Sequence, residues 1–587
     1  MNGAASSSGE ERPRGLACWA GALAAGEWRV SLACFGALAV FYLVTAAGNL
    51  GETDDVYAFA YRAENFPLDH LSDPRLMLYH VAMRLLYLGG TVLGLDVSAL
   101  TLMRVVSALA AAGALLLVVR IAARDLRVTP TAALATAALL GCSYGFWRYA
   151  AEAEVYVPAI FLILLVFRGL SALREEDADR RRAGGWLAAA GWGGFAGLSV
   201  LFYQPSLIPL FFAFPLLLAD GRRLVHLGCY LAGGGAMVLL GYIIGFLAYW
   251  PEPLGVTGLI GFLSQRAGEF IVPPLSLRTV LVSMVRGAFA LGHDIAAANW
   301  IFAFDPIGTL VQRAFSYNVI TEEVYLAKRA GLLAFVPIVT LLLLAAVGLR
   351  LLMAAWPVAL AVLRDRRVLV ILLWIAVNGA VIGRLNPAGL EAWIMILPPL
   401  VLIFGVVVLA PCLRRTAGRW ILALVAVLFL HNAVGGMALV FDAAKEYDRV
   451  KGEWVIAEAE PRDLVIIAGN AGLAETLRYL SRAEVALITP GQVPAVAESL
   501  VAGDVSRLHT RTRGRDFDNR FLRSLIREAG KAGGRVILFN EFFERPAGTA
   551  GRLWSEPAVL AALRGKAVQV HDAGEAGATY VVPAPSR

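Results

Sequence analysis

The stretch GNLGETDDVYAFAYRAENFP, residues 48–67, follows directly on an apolar run long enough to enter a bilayer. It presents Glu52, Asp54 and Asp55 almost at once. A carboxylate held just above a membrane can take a proton from a weak nucleophile. An acid at a helix start can equally cap that helix or complement its dipole. A helix beginning at about Thr53 has Asp54 and Asp55 in its first turn, and Asp55 then shares a face with Phe59 and Arg62, four and seven residues on. Capping accounts well for one acid. It does not account for Glu52, Asp54 and Asp55 together beside a membrane. A second acidic stretch, FWRYAAEAEVYV, carries Glu152 and Glu154, which point in different directions on a helix. Arg148 and Glu152 are spaced to pair, whereas Trp147 and Glu154 share a face.

The elements that must position these acids are membrane helices. Hydrophobic residues make up 58% of the 587 and charged residues only 17%, and the mean hydropathy is +0.67. A soluble surface does not tolerate that balance. Of the net charge of +7, the region from 441 onward carries little, with 20 basic against 19 acidic residues. The excess beside the apolar runs encodes orientation, so nucleic acid is not an expected partner. The basic residues are almost all Arg, which with abundant Ala and Gly points to a GC-rich bacterial genome. Five scattered cysteines give neither a disulfide framework nor metal-ligand spacing.

Apolar runs of spanning length lie near 31–48, 99–119, 130–147, 155–172, 186–202, 205–219, 227–249, 331–352, 368–384, 390–410 and 419–440, about 11 in all. The connections RIAARDLRV, ALREEDADRRR, DGRRLVH, LRDRR and CLRRTAGR are every second connection, so all five fall on one side, and they are short and Arg-rich. The positive-inside rule puts them in the cytoplasm with the N-terminal tail, residues 1–29. The domain of residues 30–440 then exposes loops 49–98 and 250–330 on the opposite, external face. Residues 441–587 are expected there too, as a soluble α/β domain. Its β-branched runs DLVIIAG, EVALI, RVILFN, AVQVHD and TYVV alternate with helical stretches, which predicts a mainly parallel sheet. AGNAG after the first of these is not a full dinucleotide fingerprint. No acids, His and Arg converge in this part, so it is expected to be dispensable for chemistry. His293-Asp294, in the long external segment, has the types for a metal or acid–base pair, but a lone His beside Asp is more often structural.

The stretch FWRYAAEAEVYVPAIFLILL resembles the signature of the GT-C integral-membrane glycosyltransferases, in particular the protein O-mannosyltransferase-like branch with its F/W-x-x-A-x-x-A-E-V-Y pattern. In that family the first external loop opens on an acidic motif, the place held here by GETDDVY, and runs on through two juxtamembrane helices. SDPRLMLYHVAMRLLYL resembles the second of them. The chain departs from the family at Asp73-Pro74-Arg75, where His/Lys-Pro-Pro is common. It departs again at Tyr203 in GLSVLFYQPSLIPL, where His is common. RLNPAGLEAWIMILPPLVL resembles a late span whose start faces the site. The resemblance covers residues 30–440 in order and topology.

The resemblance implies a GT-C-like helical fold and transfer of a sugar from a polyprenyl-phosphate donor to an acceptor hydroxyl on the external face. The configuration at the sugar would invert. Asp55 or Asp54 would then be the general base, Asp55 preferred, with Glu154 a second catalytic carboxylate. Arg75 would stabilise the leaving phosphate, with Arg384 and His80 next in line. Tyr203 and Gln204 would hydrogen-bond the sugar, and Glu52 and Glu152 would help to hold substrate. The donor is a substrate and no cofactor is implied; a divalent metal is not expected. The acceptor is a protein, a lipid or a glycan. The expected location is a bacterial inner membrane, with the site and C-terminal domain on the periplasmic side. Two other readings compete: a multipass transporter or lipid flippase, and an inactive GT-C-like scaffold. Transport favours charged or broken helices at the midplane and repeated halves, neither of which is evident here.

Overall fold

The computed structural model describes residues 16–51, 55–71, 73–175, 185–219, 224–250, 255–264, 274–314, 318–362, 365–414, 418–508, 511–512, 515–516, 519–543 and 557–585. Glu52 and Asp54, with Thr53, lie outside them.

Among the described residues, eight helices are long and apolar enough to cross a membrane, and three shorter apolar ones, Trp28–Val44, Pro130–Cys142 and Gln204–Leu217, coincide with the remaining expected runs. In chain order the principal helices are α1 (Leu16–Ala25), α2 (Trp28–Val44), α3 (Asp55–Asn65), α4 (Met77–Val92), α5 (Ala99–Arg120), α6 (Pro130–Cys142), α7 (Tyr144–Tyr149), α8 (Tyr156–Glu175), α9 (Gly185–Phe202), α10 (Leu224–Tyr249), α11 (Val256–Ser264), α12 (Leu277–Ile295), α13 (Asp305–Ala314), α14 (Asn318–Arg329), α15 (Phe335–Val362) and α16 (Arg366–Leu385). Two further spans, Leu390–Leu413 and Gly418–Val440, complete the bundle as α17 and α18.

Local chemistry sets several boundaries. Ser98 and Thr129 cap α5 and α6 through side chains that accept from the Thr101 and Ala132 amides, and Pro130 occupies the first turn of α6. Pro205, Pro209 and Pro215 remove donors from the 204–217 run, which winds as short 3₁₀ and π turns instead of one α-helix. The tail expected at 1–29 includes α1, whose buried Ala20 and Leu23 belong to a helix packed on α5 and α6. Helices α9 and α10 touch backbone to backbone. A Cβ at Gly197 would lie 2.7 Å from the Gly234 carbonyl oxygen, and Gly193 and Gly233 meet the Tyr230 and Ala190 carbonyls more closely still.

Two arginines inside the spans, Arg104 and Arg168, have partners. Arg104 donates from Nε to the Ala151 carbonyl at 2.8 Å and from Nη2 to the Ala47 carbonyl, while Arg168 pairs with the buried Asp125 at 3.0 Å.

Downstream lie α19 (Tyr447–Glu458), β1 (Leu464–Ala468), α20 (Ala471–Leu480), β2 (Glu484–Ile488), α21 (Val493–Ala502), α22 (Arg520–Lys531), β3 (Arg535–Phe539), β4 (Val568–Asp572) and β5 (Ala578–Pro583). All five expected strands form one sheet, ordered β2-β1-β3-β5-β4. The sheet is mixed: β1 runs parallel to β2 and β3, but β5 pairs antiparallel with both β3 and β4. Only residues 573–577 join β4 to β5, too few for the crossover that parallel pairing requires.

Candidate active site

A cavity of about 400 Å³ opens where α3, the segment before α4, the 203–208 turn, α16 and the start of α17 converge. Helix α3 supplies Asp55, Phe59 and Arg62, the three residues that share one face by helical spacing. Asp73 and Arg75 come from the next turn, Tyr203 and Gln204 from the proline-broken stretch, and Asn386 and Glu391 from the α16–α17 connection. The remaining wall is largely apolar, with Val155, Ile208, Val381, Ile382, Leu385 and Met395 among the lining side chains.

Several of these polar residues are held in place. The Arg75 amide donates to Asp73 Oδ1 at 3.0 Å, and its guanidinium approaches the same oxygen at 3.8 Å. The Arg75 carbonyl accepts from the Gln204 amide at 3.0 Å, and Tyr242 on α10 donates to the Pro74 carbonyl at 3.1 Å. The Asp73-Pro74-Arg75 variant is thus fastened through its backbone, and the Arg75 side chain remains about one-third exposed at the cavity. Across the space, Asn386 Nδ2 donates to Glu391 Oε1 at 3.2 Å. Burial pushes the Tyr203 hydroxyl well up, and the charges of Glu391, Glu154 and Asp55 push the same way, against Arg75. Three carboxylates and a guanidinium therefore all lie within electrostatic range of one phenol.

Of the residues singled out in the sequence, Asp55, Arg75, Tyr203 and Gln204 meet at this cavity. The other described candidates, Glu154, Glu152, His80 and Arg384, do not line it. Glu154 is fully buried yet close enough to act electrostatically on Tyr79 and Tyr203. Glu152, expected to hold substrate, instead accepts from Arg148 Nε at 2.8 Å, with both side chains sealed from solvent. Arg148 also donates to the Tyr144 hydroxyl at 2.9 Å and to the Asn49 carbonyl at 3.4 Å, so this pair fastens α7 to the loop before α3. His80 is buried with its ring 5.0 Å from Phe59 and 5.9 Å from Tyr79. Arg384 faces a separate groove of about 300 Å³ between α12 and α16, lined by Leu275, Met284, Gly379 and Trp393 among others. Helix α16 divides the two spaces, and Leu385 and Asn386 rather than Arg384 reach the first. Glu391 and Asn386, which stand in RLNPAGLE at the start of the late span, carry no local signal of a role, and the cavity adds both.

No family model and no curated protein matches the chain. Solved structures do. ArnT from Cupriavidus metallidurans bound to undecaprenyl phosphate aligns with a TM-score of 0.52 at 11% identity, over 95% of this chain and 98% of that one. The fold is GT-C-like. The apo state of the same ArnT gives 0.49 at 12% identity, over 95% and 98%. The Archaeoglobus fulgidus oligosaccharyltransferase gives 0.45 at 12% identity, over 91% and 71%. With its long apolar helices, the protein is an integral membrane protein.

Among the described residues, no group of three or more His, Cys, Asp or Glu is arranged to hold a metal ion.

Proposed function

We propose that this protein is a membrane glycosyltransferase that moves a sugar from a polyprenyl-phosphate donor to an acceptor hydroxyl, with inversion at the anomeric carbon. The observation that carries the reading is one cavity in which Asp55 stands with two guanidinium groups, Arg62 and Arg75, beside apolar walls on membrane helices. The guanidiniums suit a phosphate and the apolar walls suit an isoprenoid chain. Support of a second kind comes from ArnT, which shares the fold and was solved with undecaprenyl phosphate.

In this mechanism the acceptor oxygen attacks the anomeric carbon as its proton passes to the Asp55 carboxylate. The bond from that carbon to the phosphate oxygen breaks, and the polyprenyl monophosphate leaves with the bonding electron pair. Arg75 and Arg62 stabilise its growing negative charge. Glu391, oriented by Asn386, accepts from a sugar or acceptor hydroxyl on the opposite wall. Glu154 acts at a distance, adding negative potential where the sugar gains positive charge. The reaction belongs on the periplasmic face of a bacterial inner membrane, where the positive-inside pattern puts the site. The branch nearest in signature, by the AEVY stretch, is the protein O-mannosyltransferase-like one.

The test uses the full chain in lipid nanodiscs with undecaprenyl-phosphate sugars carrying a radiolabelled sugar. Asp55-dependent appearance of undecaprenyl phosphate and of label on an acceptor supports the reading. Lipid binding with no cleavage of the sugar–phosphate bond for any donor sinks it in favour of a flippase or scaffold.

A further inference from the structure

Helix α3 has two working faces. Asp55, Phe59 and Arg62 border the cavity, while Tyr57 and Glu64 project from the opposite side of a 3.6-residue helix. That second face is gripped by the C-terminal domain. Tyr57 donates its hydroxyl to Glu446 Oε2 at 2.9 Å, and its ring lies 5.8 Å from that of Tyr479. The Tyr479 hydroxyl donates to Glu64 Oε1 at 3.0 Å, an oxygen that also accepts from the Ala99 amide, 2.8 Å away at the start of α5. Each end of α3 is therefore tied to a residue from beyond the last span.

The chain leading into α3 is held just as closely. The amides of Gly48 and Asn49 both donate to the Val440 carbonyl, at 3.0 and 2.9 Å. The Leu50 amide donates to Glu446 Oε2 at 3.2 Å. Asn49 Nδ2 donates to Glu322 Oε1 at 2.6 Å, and Glu322 Oε2 accepts from the Tyr447 amide at 2.8 Å. A Cβ at Gly48 would lie 2.8 Å from the Ala443 nitrogen and closer still to the Phe441 carbonyl oxygen, so only glycine admits this approach. Glu446 is fully buried and Glu322 nearly so. Two buried carboxylates that both serve one short loop form a designed joint rather than a surface contact.

We infer that the C-terminal domain, through Glu446 and Tyr479, sets the position of α3 and thereby holds Asp55 and Arg62 over the cavity. Glu446 and Tyr479 are positioning residues: they face away from the cavity and act through Tyr57, Glu64 and the 48–51 loop. The inference reverses the expectation that residues 441–587 are dispensable for chemistry. Its link to binding rests on the lipid-phosphate reading above, but its structural core does not.

The experiment compares Glu446→Ala, Glu446→Gln and Tyr479→Phe in the full chain in nanodiscs. Amide hydrogen exchange is followed in α3 and in β1, and affinity is measured for undecaprenyl phosphate alone. Glu446→Ala should speed exchange across residues 55–62 by about tenfold and weaken the lipid by a similar factor, as expected for losing a buried acceptor of two hydrogen bonds. Exchange in β1 should be unchanged. Glu446→Gln keeps an acceptor oxygen in place and should restore most of both effects at pH 7; Tyr479→Phe should loosen only the end of α3 near Glu64. If Glu446→Ala leaves α3 exchange at the parental rate while the protein remains folded, the inference is overturned. If the parental chain itself does not bind undecaprenyl phosphate, the lipid-phosphate reading fails and the exchange data still decide the joint.

Discussion

The backbone amide of Gln204 donates to the carbonyl of Arg75 at 3.0 Å, joining the loop before α4 to the proline-broken turn after α9. With the Tyr242 bond to the Pro74 carbonyl, it fixes the Arg75 main chain without using the Arg75 side chain. The side chain is thus rooted in an immobile main chain where it borders the cavity.

Replacing that side chain should therefore leave the fold intact. Arg75→Ala is expected to weaken undecaprenyl phosphate binding by about 10- to 100-fold, the worth of a charge-assisted hydrogen bond. Arg75→Lys should recover part of it, since a lysine retains charge but not the two-pronged geometry. Equilibrium binding in nanodiscs, with melting temperature as the control for folding, reads both.

Asp55→Asn keeps the shape and a capping oxygen but removes the base. Transfer should fall by ~100- to 10,000-fold, with undecaprenyl phosphate binding nearly unchanged. Glu391→Gln should act mainly on the concentration of sugar donor or acceptor required, because its proposed partner is a hydroxyl and not the reacting bond. Steady-state kinetics of the two variants side by side separate these roles; equal losses of rate would put Glu391 on the proton path instead.

The Arg148–Glu152 pair makes a different demand. Glu152→Ala leaves a buried guanidinium without its carboxylate, which costs ~3–5 kcal/mol, so yield and melting temperature should fall sharply. Replacing both partners with apolar residues of similar volume should be better tolerated than the single change. If Glu152→Ala folds normally and only slows transfer, Glu152 belongs with the substrate after all.

The joint beneath α3 should respond to pH. Burial raises Glu322 to about 8 and Glu446 to about 7, from an ordinary value of 4.5. The facing groups are Asn49, Tyr57, Tyr447, Asp448 and Arg449, of which Asp448 pushes upward on both carboxyls. Because the folded values are raised, the protonated forms are favoured by docking. That contribution is complete below about pH 4.5 and is lost as pH climbs through 7 and 8. Protease sensitivity of the 440–447 junction should thus increase between pH 6 and pH 9, and Glu446→Gln should blunt the increase.

The readable parts of this chain were those governed by period and composition. Apolar runs marked the spans, and the spacing of Asp55, Phe59 and Arg62 put those residues on one face, which borders the cavity. Rotation about a helix axis was harder. Arg384 and Leu385 are neighbours in sequence, yet they open onto different spaces, and between its terminal arginines α16 is apolar but for Asn378, too little to say which face turns inward. The two acids of one turn were easier: the four-residue spacing pairs Arg148 with Glu152 and sets Glu154 apart, and the structure has Glu152 locked to Arg148 and Glu154 in reach of Tyr203. Pairings such as Tyr57 with Glu446 join segments far apart along the chain. No local pattern announces them.

The glycine contact between α9 and α10 ties the cavity to the thickness of the bilayer. Carbonyl against glycine leaves no side chain to repack, so the two helices resist sliding along one another. A span longer than its membrane is accommodated by tilting, and here two spans must lean together. Tyr203 and Gln204 sit at the end of α9 and Tyr242 on α10, and through them any lean reaches Pro74 and Arg75. Lipids with shorter or longer acyl chains should therefore change how well this protein holds its phosphate, although no lipid tail need touch the arginine.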